Sequence, residues 1–194
     1  KFLVLHEVSH YIDSSFVLSI EFGMESPLDN IAMDLSINSR LMEAYEEQLE
    51  FIEGGQLPLN YPELKMKDCK DSLYYYNILK KAKDEKEATK GQKDSLAGEP
   101  GNKDGSSGCK NLDDMLDNQD KIDQHTTWGE LTEGMSDIEK EVLKRDIINR
   151  LEKISEEVSK QNGTIPTHLK GLSDRIKKVK EVVKKGSEKV EESA

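Results

Sequence analysis

The sequence predicts an all-α fold, an elongated bundle of several helices with a helical hairpin at its C-terminal end and one disulfide-closed flexible loop. Three observations carry this. Apolar and charged residues are each 35% of the chain, which suits cores organised along amphipathic helices rather than a broad buried sheet. Apolar letters recur at three- and four-residue steps through most of the chain. Strand-like alternation is confined to one short stretch, "SSFVLSIEF", which has nothing to pair with.

The first 22 residues combine that stretch with "LVLHEVSHYI", whose apolar spacing suits a helix, and helix is the expectation for both. At "SPLDN" Ser26 serves as a cap, Pro27 suits the first helical position, and Asp29 stands where a capping box places its acid. Leu28, Ile31, Leu35, Met42, Tyr45, Leu49 and Ile52 then form one stripe, ended by Gly54 and Gly55. After the Pro-punctuated "QLPLNYPEL", a helix is expected from Glu63 to Lys90, with "YYY" at 74–76 spreading rings around it so that one of Tyr74 and Tyr75 faces outward.

Residues 91–108, rich in Gly, Ser and charge, read as a flexible insertion. A short helix begins at Cys109, and a connection containing Trp128 follows it. The next helix opens at Ser136 with Glu139 as reciprocal cap and Ile138, Val142, Ile147, Leu151, Ile154 and Val158 as stripe. The last, Leu172, Ile176, Val179, Val183 and Val190, is a short heptad pattern interrupted at Gly186, suited to a hairpin with 137–160 or to a homodimer seam. The expected organisation is a helical domain over 1–133 and an antiparallel hairpin over 134–194.

Net charge is −11, with acid concentrated in residues 1–60 and 111–160 and small basic excesses over 61–110 and at the C-terminal end. A coherent positive surface is missing, so nucleic acid is not expected as a partner. No run of 18 apolar residues exists to span a membrane. Two cysteines, Cys69 and Cys109, bracket the flexible insertion, and one disulfide between them would stabilise the fold by roughly 4 kcal/mol on the chain-entropy estimate. The sequon "NGT" at Asn162 lies in a Gly/Pro turn. Together with a start at Lys1 rather than Met, these features predict a processed, glycosylated, extracellular chain.

One motif offers chemistry. "HEVSH", residues 6–10, places His6 and His10 one turn apart on a helix with Glu7 beside them, the arrangement in which two imidazoles ligate a metal and a carboxylate activates water. At these three positions the stretch is similar to the zincin signature, which would imply His6 and His10 as zinc ligands and Glu7 as general base. The metzincin extension is absent, since Asp13 and Phe16 stand where its Gly and His would be. A third ligand as in gluzincins would have to come from Glu21, Glu25 or Glu43, or else from His125 or His168. With five residues ahead of His6 and no evident third ligand, the sequence ranks a zinc peptidase below two non-enzymatic readings.

The first of these is a secreted helical protein that binds, and perhaps inhibits, another protein through Tyr74, Tyr75 and Trp128. The second is a structural or assembly protein. Neither needs a cofactor.

Overall fold

The computed structural model describes residues 2–24, 26–45, 55–93, 132–160, 169 and 171–191, with side chains omitted at 26–27, 89–93 and 186–191. Of the described residues 83% are helical and none is in a strand. There are six α-helices among them: α1 (Phe2–Ile12), α2 (Ser15–Phe22), α3 (Ser26–Tyr45), α4 (Ser72–Lys93), α5 (Asp137–Lys160) and α6 (Leu172–Glu191), with 3-10 turns at Pro58–Asn60 and Pro62–Leu64.

Both halves of the ambiguous N-terminal stretch are helical, as expected. They are separated by a sharp turn at Asp13 and Ser14, where the Asp13 carboxylate accepts the Ser15 N–H at 3.0 Å and the Ser15 hydroxyl at 2.8 Å. That local bonding satisfies donors left open at the start of α2. The helix ends at Gly23, whose φ of 54° is left-handed and costs glycine little, and whose N–H returns to the Ser19 carbonyl.

Helix α3 is central. Leu28, Ile31, Ala32 and Leu35 join Val17 and Leu18 of α2, Met24, Tyr61, Tyr75, Tyr76 and Leu79 of the α4 region, Ile148 of α5 and Val179 of α6 in the main core. Along its other side Ile37 and Leu41 meet Phe2 of α1, with Leu5, Met42 and Tyr45 packed against them. The expected stripe is therefore correct through Tyr45, and its continuation to Ile52 lies outside the described residues.

The helix expected from Glu63 begins instead at Ser72. Lys65 and Cys69 both adopt left-handed φ, 48° and 54°, which a continuing helix does not tolerate. The effective start signal is Asp71, whose carboxylate accepts the Tyr74 N–H at 2.9 Å in the manner of an N-cap.

The expected Cys69–Cys109 disulfide is not supported. Cys69 is a free thiol, donating to Glu43 Oε2 at 3.1 Å and lying 3.5 Å from the Ser39 carbonyl oxygen. Burial and the Glu43 carboxylate push its pKa up to about 12, so it stays protonated. Cys109, the insertion 91–108 apart from its first helical residues, Trp128 and Asn162 lie outside the described residues.

At the C-terminal end the capping box forms as read: the Glu139 carboxylate accepts the Ser136 N–H at 2.8 Å, and the Glu139 N–H reaches Ser136 Oγ at 3.3 Å. Leu151 of α5 packs with Leu172 and Ile176 of α6, and Lys180 reaches Glu152 at 2.6 Å. Leu172, Ile176 and Val179 are all less than 5% exposed. The first three positions of the heptad stripe are thus buried within the chain, and Val183 is half-buried. Lys144 anchors α5 to α2 through an ion pair with Glu21 and also pairs with Glu141 one turn back on α5.

Candidate metal centre

Helix α1 buries the face formed by Phe2, His6, Ser9 and, just past its end, Asp13, spaced by four, three and four residues. That face lies on α3, and the two helices run antiparallel: Phe2 shares a cluster with Leu41, His6 meets Asn38, and His10 meets Asp34. The pairing is fixed at its far end by a buried ion pair between Asp13 and Arg40, whose guanidinium also donates to Ser36 Oγ at 2.9 Å. Burial, reinforced by the nearby positive charge of Arg175, lowers the Arg40 pKa to about 10, which still leaves it charged at neutral pH.

This pairing brings the two histidines of the HEVSH motif against a third ligand. His6 Nε2 and His10 Nε2 are 3.1 Å apart, and Asp34 Oδ1 lies 3.5 Å from the first and 3.3 Å from the second. Three donor atoms at tetrahedral positions, each about 2.0–2.1 Å from a zinc ion, would be separated by about 3.3–3.4 Å. The observed triangle fits that edge length, and His6, His10 and Asp34 are the metal-ligand cluster found among the described residues.

The donor chemistry fits as well. All three side chains are at most 12% exposed, and a carboxylate buried against two imidazoles is costly unless a proton on an imidazole or a metal cation balances its charge. Two neutral imidazoles and one carboxylate form a borderline donor set suited to zinc. A zinc ion held by these three side chains would take a fourth ligand to complete its tetrahedron.

The rings are held from outside the triangle. His6 Nδ1 lies 2.7 Å from Asn38 Oδ1, and its ring stacks on Phe2 with centroids 6.1 Å apart. The His10 ring meets His6 edge-on at 4.7 Å. Glu7 follows His6 on α1 and is half-buried, at the margin between the packed and the open faces of the helix.

Of the residues singled out from the sequence, the structure brings together His6 and His10; Glu7 follows His6 in the chain and is not part of the cluster. Glu21 and Glu43 stand outside the ligand cluster: Glu21 pairs with Lys144 and Glu43 accepts from Cys69; Glu25, His125 and His168 lie outside the described residues. The ligand that sequence reasoning missed is Asp34. Its signal was present in the α3 stripe, which steps from Leu35 to Met42 and skips position 38, where a polar Asn38 fills a core position four residues after Asp34.

Tyr75, expected as a contact residue, is fully buried. Its hydroxyl donates to the Lys67 carbonyl at 2.8 Å. Tyr74 is half-buried, meets Tyr75 edge-on at 5.3 Å and accepts the Lys67 N–H at 3.1 Å.

Comparison with known proteins adds no relative: no protein-family model matches the chain, and neither the curated proteins nor the solved structures provide a match.

Proposed function

We propose that this chain is a zinc-dependent hydrolase of amide bonds, a metallopeptidase in reaction type, with His6, His10 and Asp34 as metal ligands and Glu7 as general base. The observation that carries this is the triangle of donor atoms, 3.1 to 3.5 Å on a side, formed by an HExxH helix and a carboxylate from the helix packed against it. A zinc ion there would polarise the substrate carbonyl and favour a water nucleophile at neutral pH. Glu7 takes the proton from the attacking water and delivers it to the leaving nitrogen, a role that general acid–base catalysis values at about 10²–10⁴-fold in rate. Asp34 balances charge in the buried site, and the α1–α3 packing excludes solvent from the ligand side.

A set of two histidines and a carboxylate also suits ferrous iron in oxygen-activating enzymes. Glu7 favours hydrolysis, because a carboxylate immediately after the first histidine of an HExxH helix supplies the base that hydrolysis needs.

The test is metal content followed by cleavage. Zinc-loaded protein should hold one Zn²⁺ per chain and release new termini from a mixed-sequence peptide library. Glu7→Gln should keep the metal and lose about 10²–10⁴-fold in rate; His10→Ala and Asp34→Ala should lose both. A wild-type chain that takes up no Zn²⁺ at micromolar concentration ends this reading.

Protein binding is a second reading, supported by a different observation. Leu3, Val4, Val8 and Tyr11 project from the outer face of α1, each between 46% and 75% exposed, and contiguous apolar exposure of this kind marks contact surfaces. The partner tested first would be a second copy of the chain. A mass that rises with concentration and falls back in a Val4→Glu/Val8→Glu variant would favour it. An extracellular setting with glycosylation at Asn162 is a further proposal, supported by the sequon.

A further inference from the structure

We infer that Asn38 is a positioning residue for the metal centre, selecting the tautomer and orientation of His6 through a hydrogen bond that is itself locked by the backbone of the 55–61 connection; this rests on the metal reading above. The Asn38 amide nitrogen donates to the Gln56 carbonyl oxygen at 2.9 Å. A carbonyl oxygen can only accept, so the amide cannot be reversed without setting two oxygens against each other. Asn38 Oδ1 is therefore the atom that faces His6 Nδ1 at 2.7 Å, and since it too can only accept, Nδ1 must carry the hydrogen. The neutral imidazole has one N–H, which leaves the Nε2 lone pair directed toward Asp34 and His10, the tautomer a metal ligand needs.

The anchor is itself well held. Gln56 is 2% exposed and Asn38 is also 2% exposed, the Tyr61 hydroxyl donates to the Gln56 side-chain oxygen, and Asn60 Nδ2 donates to the Gly55 carbonyl at 3.0 Å. A buried amide with both ends satisfied holds a neighbouring ring more rigidly than solvent would. The "QLPLNY" connection, far from HEVSH in sequence, thus contributes to the ligand geometry without touching the metal position. An aliphatic residue at 38 would fill the space and keep the core apolar, so the choice of Asn is explained by the ring it orients.

The test uses the full chain and Zn²⁺ in competition with a chelating dye, together with a long-range ¹H–¹⁵N spectrum of the assigned His6 ring recorded with chelator present. Wild type should show the Nδ1–H tautomer. Asn38→Leu should lose that preference and bind Zn²⁺ about 10–100-fold more weakly, with cooperative thermal unfolding retained. Asn38→Asp, isosteric, keeps an oxygen opposite Nδ1 but sets its other oxygen against the Gln56 carbonyl, so it should retain the Nδ1–H tautomer while its Zn²⁺ affinity falls between those of wild type and Asn38→Leu.

Unchanged tautomer and affinity in Asn38→Leu overturns the inference, and so does an Asn38→Asp variant that loses the Nδ1–H tautomer. Should Asn38→Leu fail to fold, the Asp variant decides alone. A wild type that binds no Zn²⁺ sinks the metal reading, while the tautomer measurement still decides whether Asn38 orients His6.

Discussion

Two antiparallel helix pairs in this molecule are built on opposite principles. Where α5 meets α6, the buried residues are aliphatic: Leu151 against Leu172 and Ile176. Where α1 meets α3, the buried residues include His6, Ser9, Asp13, Asp34, Asn38 and Ser39, with only Phe2, Ile37 and Leu41 as a fully buried apolar patch. The first seam needs no further partner, since burying aliphatic surface is favourable by itself. The second carries groups whose desolvation is offset only by mutual hydrogen bonds and ion pairs. Of these six buried polar side chains, His6 and Asp34 form the triangle of donor atoms with His10, and Asn38 bonds to His6, whereas Ser9, Asp13 and Ser39 are bonded elsewhere.

Breaking the aliphatic seam should have the largest effect on stability. Leu151 is 1% exposed and surrounded by Leu172, Ile176, Ile147 and Ile154, so Leu151→Ala should cost about 2–5 kcal/mol in chemical unfolding. Zinc uptake should be unaffected per folded molecule, because no ligand belongs to that seam. A loss of zinc site occupancy in folded Leu151→Ala would mean that the two regions are coupled.

The polar side of α3 should reveal itself in pH dependence. Asp29 is 1% exposed and accepts a hydrogen bond from Ser19. Burial raises its pKa from 3.8 to about 7, outweighing the opposing effect of that bond. The folded state then binds more protons than the unfolded chain between about pH 4 and pH 7, so stability falls as pH rises through that window and is level above it. The fall is on the order of a few kcal/mol. Asn at position 29 keeps an acceptor for Ser19 without the charge, so Asp29→Asn should flatten this slope and exceed wild type in stability at pH 8, measured by urea unfolding across pH.

Zinc should sharpen the same contrast. An ion that binds only the folded chain adds about 3 kcal/mol at a hundred times its dissociation constant. Thermal unfolding of wild type should therefore shift upward with Zn²⁺ and return with chelator. Asp34→Asn should show no such shift, and with chelator present it should be at least as stable as wild type, because a neutral amide is less costly to bury than a carboxylate. An Asp34→Asn chain that is strongly destabilised with chelator present would instead make Asp34 a structural residue.

The same contrast explains what could be read from the sequence. The α5–α6 seam was legible because aliphatic residues at heptad spacing announce both the helix and its buried side: Leu151, Leu172, Ile176 and Val179 are where the periodicity places them. The pairing of His6 and His10 was legible, again because they are one turn apart on a helix, and their Nε2 atoms lie 3.1 Å apart. Asp34 was not, because its proximity to them depends on the turn at Asp13 and on the antiparallel packing of α1 against α3, which no local spacing encodes. The sequence candidates for a third ligand were Glu21, Glu25, Glu43, His125 and His168, whereas the interruption of the α3 stripe at Asn38 marked the side of the helix that faces the two histidines. The start of α4 was misplaced for a related reason: left-handed residues at Lys65 and Cys69 are not announced by glycine.

The smallest expected effect tests how far the polar network reaches beyond the metal centre. Ser39 of α3 lies 3.3 Å from the Tyr75 hydroxyl, which also donates to the Lys67 carbonyl and receives the Lys70 N–H at 3.3 Å. This one hydroxyl ties the left-handed segment ahead of α4 to the helix that carries Asp34. Tyr75→Phe keeps the ring in the main core and removes only those bonds, leaving the Lys67 carbonyl and Lys70 N–H to find water, at a cost of about 1–2 kcal/mol. If the metal site depends only on the α1–α3 pairing and the Gln56 anchor, zinc affinity in Tyr75→Phe should match wild type. A tenfold loss there would show that the ligand geometry is set by the α3–α4 contact as well.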